Sequence, residues 1–184
     1  MWIRVVEPAD ATGELSDVYE RVAGARGKLS NIMLAQSLDP AAMRAHLDLY
    51  MALLFSRSGL SRPEREAIAV AVSAANGCEY CVSHHAPALQ AYWKDEARVR
   101  RLAEDHQAVE VPPRLRAMLD YAVLLTREPA AVAESHVAAM RAEGLSDEEI
   151  LGVNLITGYF NFVNRVAEGL GVEFTAEEAA GYRY

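Results

Sequence analysis

The tripeptide Gly-Leu-Ser occurs twice, at Gly59-Leu60-Ser61 and at Gly144-Leu145-Ser146, and each copy opens the same kind of segment. Ser61 is followed by Glu64 and Ser146 by Glu149. This is the spacing of a capping box, in which serine and glutamate each satisfy an orphan N–H at a helix N-terminus. Helices are therefore predicted from Arg62 to about Ala75 and from Ser146 towards Leu170-Gly171. Ile68, Val70 and Val72 alternate as in a strand, but the run is long, alanine-rich and capped, and a helix that is apolar nearly all round is a buried one. Aligning the two copies pairs Ile68 with Val153, Val70 with Leu155 and Asn76 with Asn161, and upstream Leu47-Asp48-Leu49 matches Leu119-Asp120-Tyr121 after a length change. A tandem helical duplication accounts for these matches. It predicts an all-α, multihelical chain forming one domain over residues 1–184, with copies at about residues 41–93 and about residues 114–171.

The remaining helices follow from apolar spacing and punctuation. One is expected from about Glu14 to Ala23, ended by Gly24 and Gly27, and a short one from Asn31 to Ser37. Met43, His46, Leu47, Tyr50, Leu53 and Leu54 mark a core-facing helix over 41–55. A polar helix over 95–104, an amphipathic one carrying Leu115, Met118, Leu119, Ala122 and Leu125, and a shorter one over about 130–143 complete the set.

Charge and composition narrow the function. With 184 residues, 52% of them hydrophobic, the chain can build one good core. A net charge of -8, from 18 Lys+Arg against 26 Asp+Glu, does not supply the positive footprint that nucleic acid or an anionic membrane requires. No apolar stretch is long enough to span a bilayer and the N-terminus has no signal-like apolar core, so a cytoplasmic protein is expected.

The chemistry concentrates in EAIAVAVSAANGCEYCVSHH, residues 66–85. Both cysteines of the chain, Cys78 and Cys81, lie here as a Cys-X-X-Cys pair, with Glu66 before them and His85 after. On a helix, Cys78, Cys81 and His85 share a face and Tyr80 points roughly the other way. A sulfur at a helix N-terminus faces unpaired N–H groups that favour thiolate, which makes Cys81 the candidate nucleophile. Glu66 on an apolar helix is expected to have a raised pKa and to shuttle protons near neutrality. Pro87 should kink or limit this helix. Cys-X-X-Cys alone is also half a zinc site, but no second Cys/His pair completes it, and no βαβ pattern surrounds it as in thioredoxin. No metal or other cofactor is expected. In the register of the repeat, Glu66 falls opposite Leu151, Cys78 opposite Val163, Cys81 opposite Val166 and His85 opposite Leu170, so the second copy has the helices without the chemistry. His84, Asn164 and Arg165 join Tyr80 as residues that could support the site; the bland reading of Asn161, Asn164 and Arg165 is that they satisfy buried backbone. His46, His106 and His136 are read as structural or exposed, and Tyr159, Phe160 and Phe162 as core or subunit-contact residues.

The spacing Glu66-x11-Cys78-x2-Cys81-x3-His85 resembles that of the alkylhydroperoxidase D-like proteins of the carboxymuconolactone decarboxylase superfamily. KLSNIMLAQSLDP, REPAAV and NFVNRVAEGLGVE extend the resemblance, towards the subgroup of uncharacterised peroxidase-related proteins. The resemblance implies the alkylhydroperoxidase D-like fold and a peroxidase that reduces small organic hydroperoxides. Cys81 would attack, Cys78 would resolve the sulfenic acid to a disulfide, Glu66 and His85 would move protons, and an external dithiol or redox protein would recycle the pair. It also implies a homo-oligomer, for which a dimer or a trimer of dimers is the expectation here. Tyr80 stands where alkylhydroperoxidase D has a histidine. Two other functions fit the same residues: a thiol-disulfide reductase or adaptor feeding a separate peroxidase, and a nonenzymatic redox sensor or scaffold. Lactone decarboxylation would leave the cysteine pair without a role.

Overall fold

A computed structural model describes residues 1–57, 59–175 and 178. These residues form nine α-helices and no strands: α1 (Glu14–Arg26), α2 (Asn31–Leu34), α3 (Pro40–Phe55), α4 (Arg62–Ala75), α5 (Glu79–Trp93), α6 (Glu96–Glu104), α7 (Pro113–Arg127), α8 (Glu134–Ala142) and α9 (Asp147–Leu170). Short 3-10 turns lie at Pro8–Asp10 and Pro129–Ala131. No helix among the described residues is long and apolar enough to cross a membrane.

Helix α4 is the centre. Every residue from Arg65 to Ser73 is buried, and α4 packs against α5, α7 and α9. Its small alanines let neighbouring backbones approach, while Ile68, Val70 and Val72, fully removed from solvent, each contribute about 1.5–3 kcal/mol of apolar burial. Both capping boxes form: Ser61 N donates to Glu64 Oε2 at 2.7 Å and Ser146 N to Glu149 Oε2 at 2.8 Å. One guanidinium then joins them, since Arg114 of α7 donates to Glu64 Oε1 (3.1 Å) and to Glu149 Oε1 (2.7 Å). Gly59 is pressed against this junction; a Cβ there would lie 2.5 Å from Glu149 Oε1.

Three boundaries differ from the sequence expectation. Helix α1 runs through Gly24 and stops at Gly27, whose left-handed φ of 89° lets its N–H close on Ala23 O at 2.7 Å. The segment expected as one helix over 130–143 is split, because Pro129 starts a 3-10 turn before α8. The short helix expected from Asn31 to Ser37 closes at Leu34, whereas α5 runs with Pro87 inside it to Trp93, where the sequence expectation ended it. The outer face of α9 leaves Leu151, Leu155 and Phe162 exposed.

Candidate active site

The site begins where α4 stops. Asn76 and Gly77, the latter with a φ of 71°, break the helix so that Cys78 becomes the N-cap of α5. Its Sγ accepts the Cys81 N–H at 3.3 Å, and the two free thiols face each other with sulfurs 2.7 Å apart. Cys78 is fully buried and Cys81 is 3% exposed. The expectation that a helix N-terminus lowers the Cys81 pKa is therefore corrected. Its hydrogen bond with Cys78, followed by burial and the charge on Cys78, pushes the Cys81 thiol strongly upwards, and a hydrogen bond from Asn164 offsets only part of this. At rest Cys81 is a thiol, and it needs a base.

Glu66 and His85 supply one. Glu66, one α4 turn beyond Arg62, is wholly buried, and its Oε1 accepts from Arg62 Nε at 2.7 Å while its Oε2 accepts from His85 Nδ1 at 2.7 Å. Burial alone would raise the Glu66 pKa, but the charges and hydrogen bonds of His85 and Arg62 together hold it below the ordinary carboxylate range. Glu66 is thus a carboxylate that orients His85, not the proton shuttle of raised pKa that its apolar helix suggested. With Nδ1–H committed to Glu66, the lone pair of His85 is on Nε2. Phe160 of α9 meets the imidazole edge-on, ring centroids 4.7 Å apart, and fixes its plane.

Cys81, His85 and Glu66 border one cavity of about 60 Å³, which His46, Tyr159 and Phe160 also line. That is room for a few waters or the reactive end of one small molecule. Cys78 does not line it, so Cys81 is the sulfur an entering molecule meets.

The supporting candidates divide. Asn164, 1% exposed, donates to Ser73 Oγ at 3.1 Å, accepts from Asn76 Nδ2 at 2.9 Å and hydrogen-bonds Cys81, which joins α9 to the break between α4 and α5. Arg165 is exposed and spends its Nη1 on Asn161 O and Oδ1 of its own helix. The Tyr80 hydroxyl accepts from Ile32 N (3.0 Å) and donates to Glu178 Oε1 (3.2 Å), tying α5 to α2. His84 packs on the Tyr80 ring at 4.3 Å, donates from Nδ1 to Tyr80 O at 2.7 Å and has Nε2 2.8 Å from Glu178 Oε2. Two cavity residues were missed by the reading of the sequence. His46, taken as structural or exposed, is 4% exposed in the cavity wall, and Tyr159, taken as core or subunit contact, hydrogen-bonds it. Helix α9, expected to carry none of the chemistry, thus builds one wall of the site. Among the described residues no group of three or more His, Cys, Asp or Glu side chains converges as a metal site requires.

Comparison with known proteins identifies the family and the fold. The profile of the Carboxymuconolactone decarboxylase family matches residues 40–104, which span α3 to α6 and include all four motif residues. The alkylhydroperoxidase D core of an uncharacterized peroxidase-related protein from Ralstonia eutropha JMP134 superposes with a TM-score of 0.87 at 32% identity, over 97% of this chain and 94% of that one. An uncharacterized peroxidase-related protein from Silicibacter sp. TM1040 superposes at 0.85 with 30% identity over the same shares. The debrominase Bmp8, in complex with 2,3,4-tribromopyrrole, shares the fold at a TM-score of 0.78 and 22% identity, covering 97% of this chain and 94% of its own.

Proposed function

Because the chain belongs to the alkylhydroperoxidase D-like branch of the carboxymuconolactone decarboxylase superfamily, we propose that it is a thiol-dependent hydroperoxidase. The observation that carries this reading is that the Cys81 thiol and the Glu66-backed His85 border the same small cavity. His85 Nε2 takes the proton of Cys81, and buried Glu66 stabilises the imidazolium that results. The Cys81 thiolate attacks the terminal oxygen of a hydroperoxide, the O–O bond breaks, and Cys81 becomes a sulfenic acid while an alcohol leaves. Cys78, 2.7 Å away and behind Cys81, then displaces water to form the disulfide. An external dithiol reduces it and is itself oxidised to a disulfide. The largely apolar wall favours a small organic hydroperoxide over a polar substrate.

The deep burial of both sulfurs restricts every exchange partner, reductant and adaptor client alike, to a group that reaches Cys81 through the cavity, which favours a small dithiol over a second protein. The test is peroxide consumption under a screen of dihydrolipoyl-type dithiols, thioredoxin-like proteins and glutathione. Sustained consumption of an organic hydroperoxide, with a peptide holding Cys78 and Cys81 two hydrogens lighter after a single turnover, is expected. Rapid reduction of a protein disulfide without peroxide turnover would replace this reading by the adaptor one, and a reversible disulfide with no turnover by the redox sensor.

A further inference from the structure

A chain of hydrogen bonds behind the cavity has directions that its first link fixes. Gln36 Nε2 is 2.8 Å from Ile32 O, a carbonyl that can only accept, so this end of the amide is the donor. The same nitrogen is 2.7 Å from His46 Nδ1, nearer than Gln36 Oε1 at 3.1 Å, and therefore donates to it. His46 is neutral, since burial lowers its pKa to about 4, and with Nδ1 accepting, its one proton sits on Nε2. Nε2–H then donates to the Tyr159 oxygen at 2.7 Å. His46 is the partner of this hydroxyl among the described residues, and its oxygen is the acceptor. The phenolic hydrogen is left for the cavity, which Tyr159 lines together with Cys81.

We propose that Tyr159 is a further catalytic residue, whose hydroxyl donates a hydrogen bond to the oxygen that leaves as alkoxide when Cys81 cleaves an organic hydroperoxide. Gln36 and His46 are positioning residues that aim it. This assignment rests on the hydroperoxidase reading. In the step, the Cys81 proton moves to His85 and sulfur bonds to the terminal oxygen of R–O–O–H as the O–O bond breaks. Sulfur is oxidised to the sulfenic acid and the peroxide is reduced. Negative charge grows on R–O, where the Tyr159 O–H meets it, and R–O⁻ takes up the proton held by His85 to leave as R–OH. Tyr159 keeps its own proton, because burial, with charges on Tyr50 and Cys81, holds its pKa well above the ordinary phenol range. A fixed donor aimed at developing charge in a water-poor site is the arrangement that stabilises such a transition state.

The leaving group provides the test. Cumene hydroperoxide releases an alkoxide that needs the donor, whereas perbenzoic acid releases a carboxylate that does not. Stopped-flow oxidation of the reduced protein should show Tyr159→Phe slowed on the order of 100-fold with cumene hydroperoxide and less than about threefold with perbenzoic acid. Gln36→Glu places an acceptor at His46 Nδ1, reverses the histidine tautomer and turns the phenolic hydrogen away from the cavity. It should reproduce a roughly tenfold loss selective for the alkyl hydroperoxide with the Tyr159 ring still in place. Equal slowing of both oxidants in both variants, or no slowing in either, overturns the assignment and leaves Tyr159 a wall residue. Wild-type protein that forms no disulfide with either oxidant overturns the hydroperoxidase reading itself, and this assignment with it.

Discussion

The α4–α5 unit and α9 begin with the same serine-to-glutamate cap and run through corresponding apolar positions, but the first breaks at Asn76-Gly77 while α9 continues for 24 residues. In the register of the two caps, Phe162 stands where Gly77 stands, Val163 where Cys78 does and Val166 where Cys81 does. An uninterrupted helix commits each N–H to the carbonyl four residues back. The break frees the Cys81 N–H to meet Cys78 Sγ and turns the two sulfurs towards each other. Burial is inverted as well: Glu66 is 0% exposed, whereas Leu151, its counterpart, is 56% exposed. A buried carboxylate is tolerated because Arg62 and His85 occupy its two oxygens, and those partners are what make it useful. Helix α9 offers Tyr159 and Phe160 as wall and Asn164 as a clasp, all at positions with no counterpart in the motif, and Val163, the counterpart of Cys78, lines the same cavity as an apolar side chain.

The sharpest way to break this comparison is at the sulfurs. Cys81→Ser should abolish the first reaction with peroxide, while Cys78→Ser should form a trappable sulfenic acid at Cys81 and fail to recycle. Val166→Ser, the counterpart on α9, should cost about 1 kcal/mol of stability and leave the reaction per folded molecule unchanged. The cavity supports this assignment of roles: Cys78, at the very start of α5, is the more buried sulfur, and Cys81 is the one that lines the cavity. Sulfenic-acid trapping decides, and loss of the first step in Cys78→Ser with retention in Cys81→Ser would reverse the assignment.

The next largest effect is expected at the carboxylate. Glu66→Gln should slow Cys81 oxidation about 100-fold, and His85→Gln should slow it similarly without adding to the first, because the two act as one relay. Leu151→Gln, in the corresponding place, should change stability by less than about 0.5 kcal/mol. The pH dependence has a definite sign. Because pairing holds the Glu66 pKa below its ordinary value in the folded protein, its stabilisation is present above the carboxylate range and is lost as pH falls through the folded pKa. The difference in melting temperature between wild type and Glu66→Gln should therefore be widest near neutrality and narrow on acidification. A gap that widens on acidification, or a Glu66→Gln rate equal to wild type, would remove the relay.

What could be read from the sequence was local. The capping boxes, the helices they start and the end of α4 at Asn76-Gly77 depend on neighbours within one or two turns, and the motif placed Glu66, Cys78, Cys81 and His85 together before any contact was known. Errors arose where a distant partner decides. Glu66 on an apolar helix suggested a raised pKa, and the sign changed once His85 and Arg62 closed on it. Cys81 suggested a thiolate, and there a near partner decided together with the fold: its hydrogen bond with Cys78, three residues back, and its burial prevailed. His46 and Tyr159 meet only because α3 packs on α9, and neither belongs to a motif or to a matched pair of the repeat. A side chain whose partner is far away in the chain leaves no spacing to read.

The smallest effect tests the break itself, with one substitution made in both regions. Gly77 is left-handed, with a φ of 71°, and a Cβ there would touch nothing within 4 Å, so Gly77→Ala meets no steric obstacle other than its own backbone. That cost is about 1 kcal/mol. Gly158 lies on the exposed side of α9 and is likewise free of contacts within 4 Å, but its backbone is helical, where alanine is favoured over glycine by roughly 0.5–1 kcal/mol. Denaturant melts should therefore move in opposite directions, Gly77→Ala to a lower midpoint and Gly158→Ala to a higher one, with unchanged slopes. Gly77→Asn should fall between wild type and Gly77→Ala, since asparagine tolerates the left-handed region better than alanine does. If Gly77→Ala stabilises as Gly158→Ala does, the left-handed break is not what holds α4 and α5 apart, and the contrast between the two regions must lie in the side chains that follow.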